Sequence, residues 1–221
     1  MVIPSNIKLF LKRFPVAYRV AQDFYPHLTL LMAALKGKRG WKEHLKSTWS
    51  RLRQEVVIKG RPMNITIEPT NACNLLCPIC ETGAGTLDRE EGNMTLEDFQ
   101  VIMNKLGPYT NTLMYYFMGE PFLNKQSYEM IRYAKDIGIP FITTCTNGDP
   151  VNPEKLIESG LDEVNFQIGG MTQETHEIYR INSNLERILI ALKETIRLKR
   201  KQNSKIRVLA GFIVMKHNEH E

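Results

Sequence analysis

Residues 63–80 read MNITIEPTNACNLLCPIC, a β-branched run that leads directly into three closely spaced cysteines. Cys73, Cys77 and Cys80 have the spacing CxxxCxxC. Zinc ribbons and fingers use CxxC-type pairs, or a cysteine pair with a histidine pair, because four protein ligands close a tetrahedron. A trio of soft thiolates instead suits an iron–sulfur cluster. A [4Fe-4S] cube held at three corners keeps its fourth iron open for a ligand that is not protein.

Two other interpretations of the cysteines stay open. A structural zinc site would need Cys145 as a distant fourth thiolate, since no histidine lies between His44 and His176. A disulfide framework is less favoured, because a chain of 221 residues needs no covalent staples and shows no secretory signal pattern.

Composition and charge divide the chain into a core and a basic extension. Hydrophobic residues make up 43% and charged residues 24% of the chain, which suits a globular domain and excludes disordered and fibrous classes. Residues 1–60 carry 12 Lys/Arg against 3 Asp/Glu, whereas the remainder carries 17 against 21. We therefore predict a basic helical N-terminal extension over residues 1–60 and a core domain over residues 61–221.

The basic extension contains one apolar stretch, at residues 28–35, followed by Lys36, Lys38 and Arg39. The stretch is too short to span a bilayer. A basic amphipathic segment suits peripheral contact with an anionic membrane surface or an acidic partner, but we favour packed helices with a solvated basic face. Nucleic-acid binding is not expected, because the sequence contains no recognisable binding module.

Beyond residue 62, short β-branched or aromatic runs alternate with helical periodicities, which is typical of repeated βα units. The runs predict strands at residues 63–68, 112–118, 140–145, 163–168 and 206–215. Strands in this βα order indicate an α/β fold with a parallel sheet, whose helical crossovers curl it toward a barrel.

Capping signals mark the helices between these strands. Thr95, Asn152 and Thr172 each precede a helical pattern, another pattern covers residues 124–137, and a long amphipathic helix ends near residue 201. Ser183 with Glu186 forms a capping box for the long helix. Residues 218–221 resemble the N-cap and first turn of one more helix. Since a natural domain seldom ends as a helix begins, we expect the core domain to be incomplete at its C-terminus.

The cysteine spacing, with the apolar Ile79 directly before the last cysteine, resembles the signature of the radical S-adenosylmethionine (radical SAM) superfamily. Within it, EPTNACNLLCPIC most resembles the branch whose members often carry a C-terminal SPASM or twitch extension. The resemblance covers about residues 63–221. It implies a partial (β/α)6 TIM-like barrel, of which about five strands are present, and a [4Fe-4S] cluster on Cys73, Cys77 and Cys80.

The resemblance also implies an activity. In this family SAM chelates the open iron, and one electron from a flavodoxin- or ferredoxin-type reductant cleaves it to a 5′-deoxyadenosyl radical that abstracts hydrogen from a substrate. The implied protein is an oxidoreductase-type enzyme of a reducing cytoplasm, with an unidentified peptide, protein or small-molecule substrate. The alternative is a non-catalytic module with a zinc ion or structural cluster, or an inactive truncated core.

The residues that the resemblance assigns to SAM follow the strands, because parallel-sheet enzymes place their chemistry at the carboxyl ends of strands. Met118-Gly119-Glu120-Pro121 resembles the GGEP motif, which binds the SAM amino group. Thr146-Asn147-Gly148 resembles a TNG often found in the family, although Asn-Gly is equally a plain turn signal.

Two further positions complete the predicted SAM site. Residues 167–170 read QIGG where many relatives have Ser-Ile-Asp-Gly, so Gln167 can still hydrogen-bond SAM whereas Gly169 cannot. Arg180 matches an arginine that pairs with the SAM carboxylate, a contact that favours the planar guanidinium over an ammonium group. The predicted cofactor-binding residues are Ile79, Gly119, Glu120, Pro121, Asn147, Gln167 and Arg180.

Overall fold

The computed structural model describes residues 14–16, 18 and 40–221. The described residues fall into two compact units, which divide between Met63 and Asn64. In the first unit, helix α1 spans Trp41–Leu52. The apolar stretch and the basic residues 36–39 lie outside the described residues. No helix in the described part of the chain is both long and apolar enough to cross a membrane. The assignment of residues 1–60 as a basic helical extension stays a proposal.

The second unit is built on a five-stranded parallel sheet in the order β1-β2-β3-β4-β5. The strands are β1 (Asn64–Thr66), β2 (Thr112–Met114), β3 (Phe141–Thr146), β4 (Glu163–Ile168) and β5 (Arg207–Phe212). The α/β fold and the predicted strand order are confirmed. Strands β1, β2 and β5 are shorter than predicted. Beyond β2, the Met118 N–H donates to the Glu68 side chain (2.9 Å) and not to a neighbouring strand.

Helical crossovers join the strands. They are α2 (Leu96–Leu106), α3 (Ser127–Asp136), α4 (Pro153–Glu158), α5 (Gln173–Tyr179) and α6 (Leu185–Lys201), with a 3-10 turn at Pro121–Leu123. The side chains of Thr95, Asn152 and Thr172 accept from the backbone N–H three residues on, as predicted for N-caps.

Two predicted helix starts are wrong. Helix α6 is capped by Asn184, which accepts from Arg187 N (2.9 Å), and not by Ser183. The Ser183 hydroxyl is drawn away because it contacts His176 Nε2 (3.0 Å). Residues 216–220 form turns and no helix. The side-chain oxygen of Asn218 accepts from Met215 N (2.6 Å), behind it in the chain, so it is not available as an N-cap.

The two faces of the sheet differ in chemistry. In β3 and β4 every second residue is buried, and Ile142, Val164 and Phe166 join one hydrophobic core with residues of α2, α3, α4 and α6. Burial of each such side chain contributes about 1.5–3 kcal/mol. The intervening residues of β3 and β4 are half-buried and mostly polar on the opposite face, and they include Cys145 and Gln167. One face of the sheet thus packs in the core, and the other carries mostly polar side chains.

Candidate functional site

The cysteine loop leaves the carboxyl end of β1 and turns back on itself. Leu75 is buried between the first two cysteines, Cys77 is buried, and Cys73 and Cys80 are half-buried. Cys80 N donates to Cys77 O (3.2 Å), which closes a turn. A Cβ added to Gly83 would lie 2.5 Å from Cys77 N, so only a glycine lets the chain fold back this closely. The loop therefore holds its three sulfurs by local backbone structure.

The thiols of the loop interact with one another and with two charged groups. The pKa of Cys73 is raised to about 11, chiefly by burial, while a hydrogen bond from the Leu75 N–H lowers it and the charges of Glu120, Cys77 and Cys80 raise it. Burial also raises the pKa of Cys77, whereas the charge of Arg180 lowers it. The cysteine loop thus lies beside one buried acid and one buried cation.

The arrangement of sulfurs bears on which metal group fits. All four cysteines are free, so no disulfide forms. Across the described residues, no three His, Cys, Asp or Glu side chains gather around one point as a single metal ion requires. A cube differs, because each thiolate binds a separate iron and the sulfurs need not converge. The soft donor set on one loop fits a cluster better than a structural zinc ion.

The Gly119-Glu120-Pro121 turn docks against the start of the cysteine loop. Gly119 has a φ of 74°, and a Cβ there would lie 2.6 Å from Thr70 O. Glu120 N donates to Ala72 O (2.8 Å), the residue directly before Cys73. A positive φ and a close backbone approach both demand glycine. The turn therefore fixes where the cysteine loop begins.

The carboxylate of Glu120 connects two loops of the site. It is 2% exposed and accepts from Asn147 N (2.7 Å), Thr146 Oγ1 (2.7 Å) and Phe122 N (3.2 Å). Burial raises its pKa to about 7, although these three hydrogen bonds act in the opposite direction. Both oxygens have protein donors, so Glu120 joins the turn after β2 to the loop after β3.

The raised pKa of Glu120 predicts how folding stability depends on pH. The folded protein retains a proton on Glu120 between pH 4.5 and about 7 that the unfolded chain releases, so stability falls as the pH rises through this range. The full effect is about 3 kcal/mol. We expect Glu120→Gln, which is always neutral, to flatten this part of the profile. Urea unfolding of both proteins at several pH values measures it, and identical profiles would contradict the assignment.

Arg180 is a buried cation at the end of α5. It is 8% exposed, its Nη2 donates weakly to Gln167 Oε1 (3.4 Å), and its Nε is buried without a hydrogen-bond partner. None of the ion pairs between described residues includes Arg180. A Cβ on Gly169 would lie 3.4 Å from Arg180 Cγ, so the missing side chain leaves room for the arginine. A buried guanidinium without an acidic partner suits an anionic ligand.

His176 was not singled out from the sequence, yet it organises this region. Its Nδ1 accepts from Gly169 N (3.0 Å), which leaves the proton on Nε2 for the contact with Ser183 Oγ (3.0 Å). Burial, and then the charge of Arg180, lower its pKa to about 4, so the ring is neutral. Gly169, whose N–H binds His176, also accepts at its carbonyl oxygen from Asn218 Nδ2 (2.9 Å). The signal in the sequence that could have identified His176 is its position one helical turn before Arg180 in THEIYR.

The remaining predicted residues take different positions. Asn147 Nδ2 donates to Asn74 Oδ1 (2.8 Å), and Asn147 Oδ1 accepts from Asp149 N (3.0 Å), so this side chain contacts the cysteine loop. Pro121 is buried as the first residue of the 3-10 turn. Ile79 is 77% exposed and is not drawn into the site. The binding of SAM by these residues stays a prediction.

Comparison with known proteins places the second unit in a family. A model described as "Radical SAM superfamily" matches residues 67–221. The chain is 28% identical over 128 residues to the AdoMet-dependent heme synthase of Methanosarcina barkeri, covering 57% of this chain and 36% of that protein. It is 26% identical over 117 residues to the PqqA peptide cyclase of Bradyrhizobium diazoefficiens, covering 52% and 30%. The chain thus spans about a third of the length of these curated relatives.

A solved structure shows the same fold. SuiB of Streptococcus suis, crystallised with S-adenosylmethionine, superposes with a TM-score of 0.55 over 87% of this chain and 46% of that chain. The sequences are 15% identical, so this likeness concerns the fold alone. The predicted partial barrel architecture agrees with it.

Proposed function

Because this chain belongs to the radical SAM superfamily, we propose that it binds a [4Fe-4S] cluster and SAM at the carboxyl edge of its sheet and carries out radical chemistry on a substrate. The observation that carries the proposal is Arg180, a buried cation without an acidic partner whose charge acts on Cys77 of the cysteine loop. A carboxylate ligand beside the cluster cysteines would supply the missing partner.

Each residue then has a distinct task. Cys73, Cys77 and Cys80 would hold the cluster, each thiolate binding a separate iron. When bound, the cluster and SAM supply the 5′-deoxyadenosyl radical that side chains cannot generate. Gln167 and Arg180 would orient the SAM carboxylate. Glu120 would keep the turn after β2 in place, so that its backbone carbonyls face the amino group.

The open face of the sheet would receive the substrate. Cys145 and Asn165 are paired in register across β3 and β4 and lie on this face, below Gln167. This lining is polar and uncharged at its centre, whereas Glu163 and Arg207 pair with each other at the opposite end of the strands. The relatives' names include a heme synthase and a peptide cyclase, so we propose a peptide or small-molecule substrate.

Radical SAM enzymes need a reductant, and we propose a flavodoxin- or ferredoxin-type partner for this chain. An exposed cluster with an open iron is oxygen-labile, so we also propose a reducing cytoplasm as its setting. Peripheral membrane contact through residues 1–60 remains part of the proposal, on the charge of that segment alone.

Anaerobic reconstitution with iron and sulfide tests the proposed function. We expect a broad visible absorption that bleaches with dithionite, and formation of 5′-deoxyadenosine when SAM is added to the reduced protein. The matched control is the same reconstitution with dithionite omitted, which should give no 5′-deoxyadenosine. Stoichiometric zinc with neither signal would instead identify a non-catalytic metal-binding module.

A further inference from the structure

Asn74 connects the cysteine loop to two other loops at the same edge of the sheet. Its Oδ1 accepts from Asn147 Nδ2 (2.8 Å), and its Nδ2 donates to Asp149 Oδ2 (3.3 Å), so its side chain is held by the loop after β3. Its backbone carbonyl accepts from Asn182 Nδ2 (2.8 Å), which belongs to the loop between α5 and α6. Asn74 is thus tied to the chain 73 and 108 residues away.

The groups that hold Asn74 are themselves fixed. Asn147 is anchored through its backbone N–H to the buried Glu120 carboxylate (2.7 Å) and through its side-chain oxygen to Asp149 N (3.0 Å). Asn182 has a φ of 70°, a left-handed conformation that asparagine tolerates. Directly before it, Ile181 O accepts from Leu76 N (3.0 Å), a second link to the cysteine loop. The segment between Cys73 and Cys77 is therefore held at two points.

We propose that Asn147 is a positioning residue that acts through Asn74 on the cysteine loop, and that this pair sets the separation of Cys73 and Cys77 before a cluster binds. The inference depends on the proposed function in one respect, because the group that the loop is held ready to bind is the proposed cluster. Holding the loop in advance removes the ordering entropy that a free loop would lose when three thiolates bind separate irons. The oxygen and nitrogen of the Asn147 amide each already have a protein partner, so its main contacts are to the loop and not to SAM.

A double-mutant cycle of Asn74→Ala and Asn147→Ala tests the pair. In the protein as purified, hydrogen exchange of the amides of residues 74–77 is expected to rise at least tenfold in each single variant. The double variant should be no faster than the faster single variant, because both changes remove the same contact. After anaerobic reconstitution, all three variants should hold less iron than the wild type. The affinity of each loaded cluster for SAM, read from its electron paramagnetic resonance spectrum, should stay within about twofold.

Two further variants show whether the exchange measurement responds specifically to the contacts that hold the cysteine loop. Asn152→Ala removes an asparagine cap three residues beyond Asp149, so it should leave exchange at residues 74–77 unchanged. Asn182→Gly removes the second tether while permitting the left-handed backbone, and it should raise exchange at the same amides. Thermal melts exclude global unfolding as the cause.

Each contrary outcome has a clear meaning. Wild-type exchange in Asn147→Ala together with weaker SAM binding would overturn the inference and make Asn147 a SAM ligand. Additive effects in the double variant would overturn the coupling through Asn74. A wild-type protein that loads no cluster would contradict the proposed function, whereas the exchange measurement would still decide on the positioning role.

Discussion

Cys77→Ala is expected to abolish both cluster assembly and SAM cleavage. Cys77 is the central and buried cysteine of the loop, and its loss leaves two thiolates, which cannot hold a cube at three corners. Iron content and visible absorption after reconstitution, with 5′-deoxyadenosine formation as the activity readout, measure the effect. A variant that retained full iron and activity would show that Cys77 is not a ligand.

Cys145→Ala is the matched control, because it removes a thiol from the same unit outside the loop. Cys145 lies on β3, and burial raises the pKa of its thiol. A free cysteine on a strand usually behaves as a small hydrophobic residue. We expect the cluster and SAM cleavage to persist. Loss of metal in this variant would instead support Cys145 as the distant fourth ligand of a zinc site.

Arg180→Ala is expected to weaken SAM binding while the cluster stays intact. A charged hydrogen bond to a carboxylate contributes about 1.5–3 kcal/mol, so the affinity should fall roughly 10- to 100-fold. Titration of SAM into the reconstituted protein, followed by electron paramagnetic resonance, measures the dissociation constant. Arg180→Lys retains the charge but not the planar guanidinium. Its SAM affinity should therefore lie between those of the wild type and Arg180→Ala. Unchanged SAM affinity in Arg180→Ala, with the cluster intact, would reject the role of Arg180 as a SAM-binding residue.

The order of strands and helices was predictable because its signals are local. Thr95, Asn152 and Thr172 cap helices through bonds to residues three positions away, and the sequence displays such pairs directly. The cap of α6 was missed for the opposite reason. Ser183 is engaged by His176, which lies in the preceding helix, and the competition between Ser183 and Asn184 depends on that tertiary contact.

The candidate site was predictable in its residues but not in their contacts. The motifs indicate that Glu120 and Asn147 belong near the cysteines. Only the structure shows that the Glu120 carboxylate is committed to Thr146 and Asn147, more than 25 residues away, and that Asn147 reaches back to Asn74. Hydrogen bonds between distant loops depend on how strand ends are juxtaposed, and no spacing rule encodes them.

The alternation of burial along β3 and β4 separates positions that stabilise the core from positions that face away from it. Even-numbered positions such as Ile142, Val164 and Phe166 carry the core, so their substitution would cost folding. Odd-numbered positions such as Cys145 and Asn165 face away from it. Under the proposed function, substitutions at these odd-numbered positions would change the surface that faces the substrate while the core side chains stay in place.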